Sequence, residues 1–264
     1  MKQLDAILKG QGSIALLIDP EKTTDHTAFR QLVEKAVFAG IDFFFVGGST
    51  VSRKDIERIV HEIKANCSIP VILFPGAGHQ LSAEADALLF LNLISGRNPD
   101  FLIGHHVQCA EEVLDSGIEV IPTGYILIDG GKVTSVAYVS QTTPIPRQNT
   151  SIARQTAIAG HLMGQKLLYF DAGSGALHPV PESLILDIRA TLPDTPVIVG
   201  GGIRDIQTIA RMKNAGANVI VIGNKIEEDV DFLLDIKEFI QQRTIGLPLT
   251  VDDEPSGQIS QQSN

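Results

Sequence analysis

Three places in the chain set glycine beside residues able to do acid, base or anion chemistry. In "YFDAGSGA", Tyr169 to Ala176, an apolar run ends on Asp171 and continues as backbone nearly free of side chains. "GGGI" at 200–203 and "IGN" at 222–224 each follow an apolar run and precede a helical pattern. Glycine lets main-chain N–H groups approach an anion that a Cβ would hold off, and unpaired amides at loop-to-helix turns favour negative charge. This points to phosphate binding by Gly200, Gly201, Gly202, Gly223 and Asn224, with Tyr169 and the amides of Gly173, Ser174 and Gly175 on the same rim. The plainer reading, that glycines only permit turns, accounts for one loop more easily than for two in succession. Asp171 would repel a phosphate, so it is read as facing hydroxyls beside it; its alternative is a cap, or a carboxylate bonded to Ser174.

A second acid sits in "IDPEK" at 18–22, where Asp19 ends an apolar run. Asp, Pro and Glu in that order make an ordinary helix start. The same carboxylate on a catalytic face would hold a hard cation such as Mg²⁺, with water and substrate phosphates completing the shell. "VGGST" at 46–50 offers Ser49 or Thr50 as a hydroxyl neighbour. His79, His105 and His106 make no ligand spacing and read as surface or loop residues, while Cys67 and Cys109 lack the spacing of a zinc site or disulfide framework.

These residues need a scaffold that brings them to one face. Apolar, β-branched runs recur eight times, at 13–18, 42–46, 70–74, 87–91, 118–122, 166–170, 196–200 and 218–223. They are nearly continuous in hydrophobicity, as strands buried on both faces of a parallel sheet are. Helical stripes lie between them: Phe29, Leu32, Val33, Ala36 and Val37, then Ile56, Ile59, Val60 and Ile63, and later Ile206, Ile209 and Ala210, with Ile226, Val230, Leu233 and Ile240 closing the pattern. Eight alternations predict an α/β fold, a (β/α)8 TIM barrel over residues 1–245, with a doubly wound open sheet as the alternative.

Two intervals depart from that pattern. "PGAGHQLSAEAD" at 75–86 has barely room for a crossover helix, so one is expected to be missing or replaced after the third strand. "YILIDGGKVTSVAYVSQTTPIP" at 125–146 reads as an inserted hairpin turning at Asp-Gly-Gly, with the next helix starting near Ser151. The tail at 246–264 is polar and rich in Pro, Gly, Ser and Gln, and is expected to be disordered.

Composition narrows the partners. With 44% hydrophobic residues the chain of 264 has ample material for a core. A net charge of -10, without clustered Lys or Arg, disfavours nucleic acid and anionic membrane as docking partners. The N-terminus lacks the apolar core of a signal peptide, and "ALLFLNLI" at 87–94 is too short to span a bilayer, so a cytoplasmic protein is expected.

Taken in order, "LLIDPEK", "FFVGGST", "VILFPGAG", "ADALLFLNLISGRNPDFLIG", "PTGYILIDGGKVTSV", "YFDAGSGA", "VGGGIR" and "VIGNKIEE" resemble the geranylgeranylglyceryl phosphate synthase family over residues 10–240. Leu17 and Ile18 before Asp19 make it most like the second of that family's two groups, which lacks a lysine there. The resemblance implies a Mg²⁺-dependent prenyltransferase joining a polyprenyl diphosphate, geranylgeranyl above all, to the 3-hydroxyl of sn-glycerol 1-phosphate. It implies Asp19 and Ser49 at the metal, and Tyr169, Phe170, Asp171, Ala172, Gly173, Ser174 and Gly175, with Gly200, Gly201, Gly202, Gly223 and Asn224, around the glycerol phosphate. It also implies a missing helix where the prenyl tail lies, a homo-oligomer built from dimers, and transient membrane contact as the lipid product leaves.

Three positions depart from the family: Asp171 where glutamate is common, and Asn92 and Gly96 where serine is frequent. The implied catalytic base is Asp171. Two other classes share parts of the pattern. A phosphosugar isomerase or lyase would need a Lys, His or Cys at a strand end, and a silent prenyl-lipid or phosphate binder would need no base.

Overall fold

The computed structural model describes residues 2–245, and the expected disorder of 246–264 falls outside them. In chain order the elements are α1 (Lys2–Lys9), β1 (Ser13–Ile18), α2 (His26–Ala39), β2 (Phe43–Val46), α3 (Arg53–Asn66), β3 (Val71–Leu73), β4 (Ala87–Leu93), α4 (His105–Ser116), β5 (Glu119–Leu127), α5 (Ser135–Ser140), α6 (Thr150–Leu162), β6 (Leu167–Asp171), α7 (Glu182–Thr191), β7 (Val197–Gly200), α8 (Ile206–Asn214), β8 (Val219–Ile222), α9 (Asn224–Glu228) and α10 (Phe232–Ile245). All eight strands pair in parallel with their sequence neighbours, and β8 pairs with β1, closing a TIM barrel. The open-sheet alternative is excluded by that closure.

Strand pleating splits the core in two. Residues such as Phe45, Ile72, Leu89, Leu167 and Tyr169 fill the barrel interior. Their alternates, such as Val46, Leu73, Leu88, Leu168 and Phe170, pack outward, mostly beneath the helices. This two-sided burial is why the strands read as continuous apolar runs. Side-chain caps fix where several helices start: Asp25 for α2, Ser52 for α3, Thr134 for α5 and Asp205 for α8.

Sequence periodicity missed α1. Its Leu4 and Ile7 are buried in the barrel interior cluster, and the Glu119 carboxylate accepts from the Gln3 and Leu4 amides at 2.9 and 3.0 Å. α1 therefore plugs the barrel end where β5 begins.

No helix joins β3 to β4, as the short interval predicted. The connecting loop is held by side chains instead. Gln80, 1% exposed, donates to the Gly48 and Val51 carbonyls at 3.0 Å each and accepts from the Gly76 amide at 2.8 Å. Asp86 accepts from the Val71 amide at 2.8 Å and pairs with Lys64.

The expected hairpin at 125–146 is not formed. Tyr125 to Leu127 complete β5, and the chain then loops into α5 before Ile145 bridges back to Ile128. β5 is flanked by β4 and β6, so a hairpin has no free edge to join. Thr134 instead caps a helix from residues whose alternation mimicked a strand. The closing helical stripe also divides, into α9 and α10, with Asp229 accepting from the Asp231 amide at the break.

Candidate active site

The strand ends that carry the glycine loops open on one cavity of about 670 Å³. Asp19, Ser49, Tyr169, Asp171, Ser174, Gly175, Gly201, Gly202, Gly223 and Asn224 line it. Phe170, Ala172, Gly173 and Gly200 do not. Phe170 and Ala172 face the helical layer, buried to 0% and 1% exposure, because they alternate with Tyr169 and Asp171 along the strand. Gly200 shapes the wall indirectly: a Cβ there would lie 2.7 Å from the Tyr169 hydroxyl.

Asp171 is buried at the end of β6, with one donor on each oxygen. Its Oδ1 accepts from the Gly173 amide at 2.7 Å and its Oδ2 from the Tyr125 hydroxyl at 2.5 Å. Burial raises its carboxyl above the usual carboxylate range, while the two donors pull the other way. Burial likewise holds the Tyr125 and Tyr169 hydroxyls well above the ordinary phenol range, so both remain protonated.

The loop after Asp171 corrects one expectation. The Gly173 amide is given to Asp171, and the Gly175 amide to Asn224 Oδ1 at 2.6 Å, so neither is free for a phosphate. Ser174 also donates to Asn224, at 3.0 Å. The N-terminus of α8 is occupied too, by the Asp205 carboxylate. The amides of Gly201, Gly202, Gly223 and Asn224 have no intramolecular acceptor among the described residues. These four leave cavity-lining amides without an acceptor.

Asp19 is both a cap and a cavity residue. Its Oδ1 accepts from the Glu21 amide at 3.1 Å, and its Oδ2 lies 3.9 Å from Lys22. Burial raises its carboxyl. Lys22 pairs with Glu227 at 2.7 Å. Thr50 donates to Glu21 at 2.8 Å, whereas the Ser49 hydroxyl has no partner among the described residues.

Away from this polar end the lining becomes apolar: Phe74, Leu81, Leu88, Phe90, Cys109 and Val113. Leu88 belongs to the outer core cluster and Phe90 packs against it, so the cavity passes over the barrel rim where β3 and β4 lack a helix between them. His106 stands here on α4, its ring edge-on to Phe90 at 4.4 Å. It is 8% exposed, not the surface residue the sequence suggested, and burial lowers its pKa so that it stays neutral.

The departures have structural correlates. Asn92 donates to the Leu102 carbonyl at 2.5 Å and accepts from Gln165 at 2.8 Å, tying β4 to the turn that enters α4. At Gly96 a Cβ would lie 2.5 Å from Thr142 Oγ1.

Sequence reasoning missed Tyr125, Lys22 and Arg204, all of which line the cavity. A signal existed for the first. Tyr125 is in register with Tyr169, which follows once 125–127 is read as a strand.

A closed eight-stranded barrel whose loops after β7 and β8 open on a cavity that is polar at one end and apolar at the other defines a class: (β/α)8 proteins with the site at the C-terminal ends of the strands. Comparison with known proteins narrows this. Residues 7–242 match the model of the PcrB family, and the chain belongs to that family. It is 46% identical, over 90% of its length and 93% of the relative, to a geranylgeranylglyceryl phosphate synthase of Chitinophaga pinensis. It is 42% identical to that of Spirosoma linguale, over 90% and 95%. A crystal structure of the Thermoplasma acidophilum (S)-3-O-geranylgeranylglyceryl phosphate synthase in complex with its substrate sn-glycerol-1-phosphate superposes with a TM-score of 0.83 at 32% identity, covering 91% of this chain and 96% of that one.

Gly201 gives a local test of whether these amides hold an anion. It has φ +81°, and a Cβ would lie 2.6 Å from the Gly173 nitrogen and 2.8 Å from Asp171 Oδ1. Gly201→Val is expected to weaken binding of sn-glycerol 1-phosphate by about tenfold or more, the cost of losing a charge-assisted hydrogen bond, and to affect prenyl diphosphate far less. Calorimetric titration with each ligand checks this, and equal loss of both would mean a collapsed barrel.

Proposed function

We propose that this chain transfers the geranylgeranyl group of geranylgeranyl diphosphate to the 3-hydroxyl of sn-glycerol 1-phosphate. The observation that carries this reading is one continuous cavity joining unpaired amides at its polar end to an apolar channel through the helix-free side of the barrel. A phosphosugar isomerase or lyase does not need that channel; a silent prenyl-lipid binder would, and the assay below separates it from the enzyme.

Glycerol phosphate sits with its phosphate on the Gly201, Gly202, Gly223 and Asn224 amides, its free hydroxyl toward Asp171. The prenyl chain lies along Phe74, Leu88 and Phe90, which aligns its C1 with the hydroxyl and removes much of the entropic cost of a two-substrate reaction. The glycerol oxygen bonds to prenyl C1, the C1–O bond to diphosphate breaks, and Asp171 takes the hydroxyl proton.

The oxygen donors Asp19 and Ser49 fit Mg²⁺, which prefers hard ligands and retains waters that substrate phosphates replace. When bound, Mg²⁺ supplies neutralisation of the charge on the departing diphosphate.

The test offers Mg²⁺, a ladder of prenyl diphosphates and both glycerol phosphate enantiomers, with product analysis. Diphosphate release that requires sn-glycerol 1-phosphate, with an ether product, is expected. No release beside an active control would favour the silent binder. Self-association is part of the same reading, supported by exposed Ile103, Val107 and Leu114 along α4 and the turn before it; light scattering of the purified chain tests it. Among the described residues no helix is long and apolar enough to cross a membrane.

A further inference from the structure

Asp171 is an acid placed where acids lose their charge. A buried carboxylate without donors takes up a proton, and one free to rotate spends little time facing its substrate. Here the Gly173 amide holds one oxygen, and the Tyr125 hydroxyl, reaching across from β5, holds the other at 2.5 Å. Two donors from separate segments fix the carboxylate plane and leave its remaining lone pairs for the cavity.

Tyr125 is itself held rigidly. Its ring stands edge-on to Phe74 at 5.7 Å and 79°, and to Tyr169 at 5.5 Å and 79°. It is 4% exposed. The titratable groups facing Asp171 are Tyr125 from β5 and Tyr169 from its own strand; β7 contributes the Gly200 and Gly201 backbone.

We propose that Tyr125 is the positioning residue of the proton acceptor: its hydroxyl holds Asp171 in the orientation from which the carboxylate takes the glycerol hydroxyl's proton. This rests on the reading of Asp171 as the base. The role concerns aim and charge, so it acts on turnover and not on substrate affinity.

Tyr125→Phe keeps the ring and removes only the donor. Turnover is expected to fall by about ten- to hundredfold, the scale of a lost hydrogen bond to a charged group, with KM for both substrates within about twofold of the parent. The acid limb of the kcat–pH profile moves to higher pH, because a donor favouring the ionised carboxylate is gone. In an Asp171→Asn background the same change has no further effect, since the acceptor of the role is already removed.

Four results overturn the proposal: unchanged turnover and pH profile in Tyr125→Phe; a rise in KM for sn-glycerol 1-phosphate matching the loss of kcat, which makes Tyr125 a substrate contact; additive losses in the double variant; or a lowered melting temperature with the acid limb unmoved, which makes it packing alone. If Asp171→Asn itself remains active, the base assignment fails first, and the two failures are thereby told apart.

Discussion

Asp171→Asn is expected to lower turnover by about 10² or more, the usual scale for loss of a general base, while both substrates still bind. Asparagine keeps the size, and its one amide oxygen can still accept from Gly173, while the Tyr125 hydroxyl turns to accept from the amide NH2 in place of donating; the pocket remains built, and the capacity to take a proton is gone. Asp171→Glu is expected to retain substantial activity, because it keeps the acid and lengthens its reach by one methylene. The pH dependence follows with its sign. Burial raises the Asp171 carboxyl, so activity falls as pH drops through a value above the usual carboxylate range, and the Asn variant loses that limb. If Asn stays active and Glu fails, Asp171 is a cap, and the proton leaves through water or the diphosphate.

The other large effect belongs to Asp19. Asparagine accepts the Glu21 amide as aspartate does, so Asp19→Asn is expected to fold with a melting temperature near the parent's. Its Mg²⁺-dependent turnover is expected to be lost, by about 10² or more, because a neutral amide is a poor ligand for a hard cation and cannot offset its charge. Steady-state rates across a Mg²⁺ titration decide the matter. Normal activity at ordinary Mg²⁺ would confine Asp19 to its capping role.

The barrel was legible because its strands are buried on both faces, so eight apolar runs stand out without knowledge of their partners. Closure was an inference from their number. The same reasoning failed at 125–146, where "VTSVAYVS" alternates like a strand: alternation records side-chain spacing, while hairpin formation depends on a sheet edge that closure removes. α1 was missed since about two turns of amphipathic residues before the first strand carry little periodic signal.

Within the site, Asp19, Asp171 and the β7 and β8 glycines were legible because strand ends of a parallel barrel share one face. What each amide does was not. Whether Gly175 faces a ligand or Asn224 depends on a loop placed by residues distant in sequence. Tyr125 was hidden by the mistaken hairpin, and His106 by the lack of any signal for which helix face meets Phe90.

The loop between β3 and β4 holds its shape through side-chain hydrogen bonds, those of Gln80, Asp86, His79 and Arg53 among them, and not through a helix packed on the sheet. Elsewhere around the barrel, the residues proposed to meet ligands sit on loops whose flanking helices also carry the core, so altering one strains the other. On this side the two duties are separated. Insertions, deletions or exchanges there can lengthen, narrow or reroute the channel while every strand-to-helix contact stays as it was, because long surface loops cost little extra closure entropy. The barrel thus has one flank on which a new lipid preference can be tried without first re-solving the folding problem.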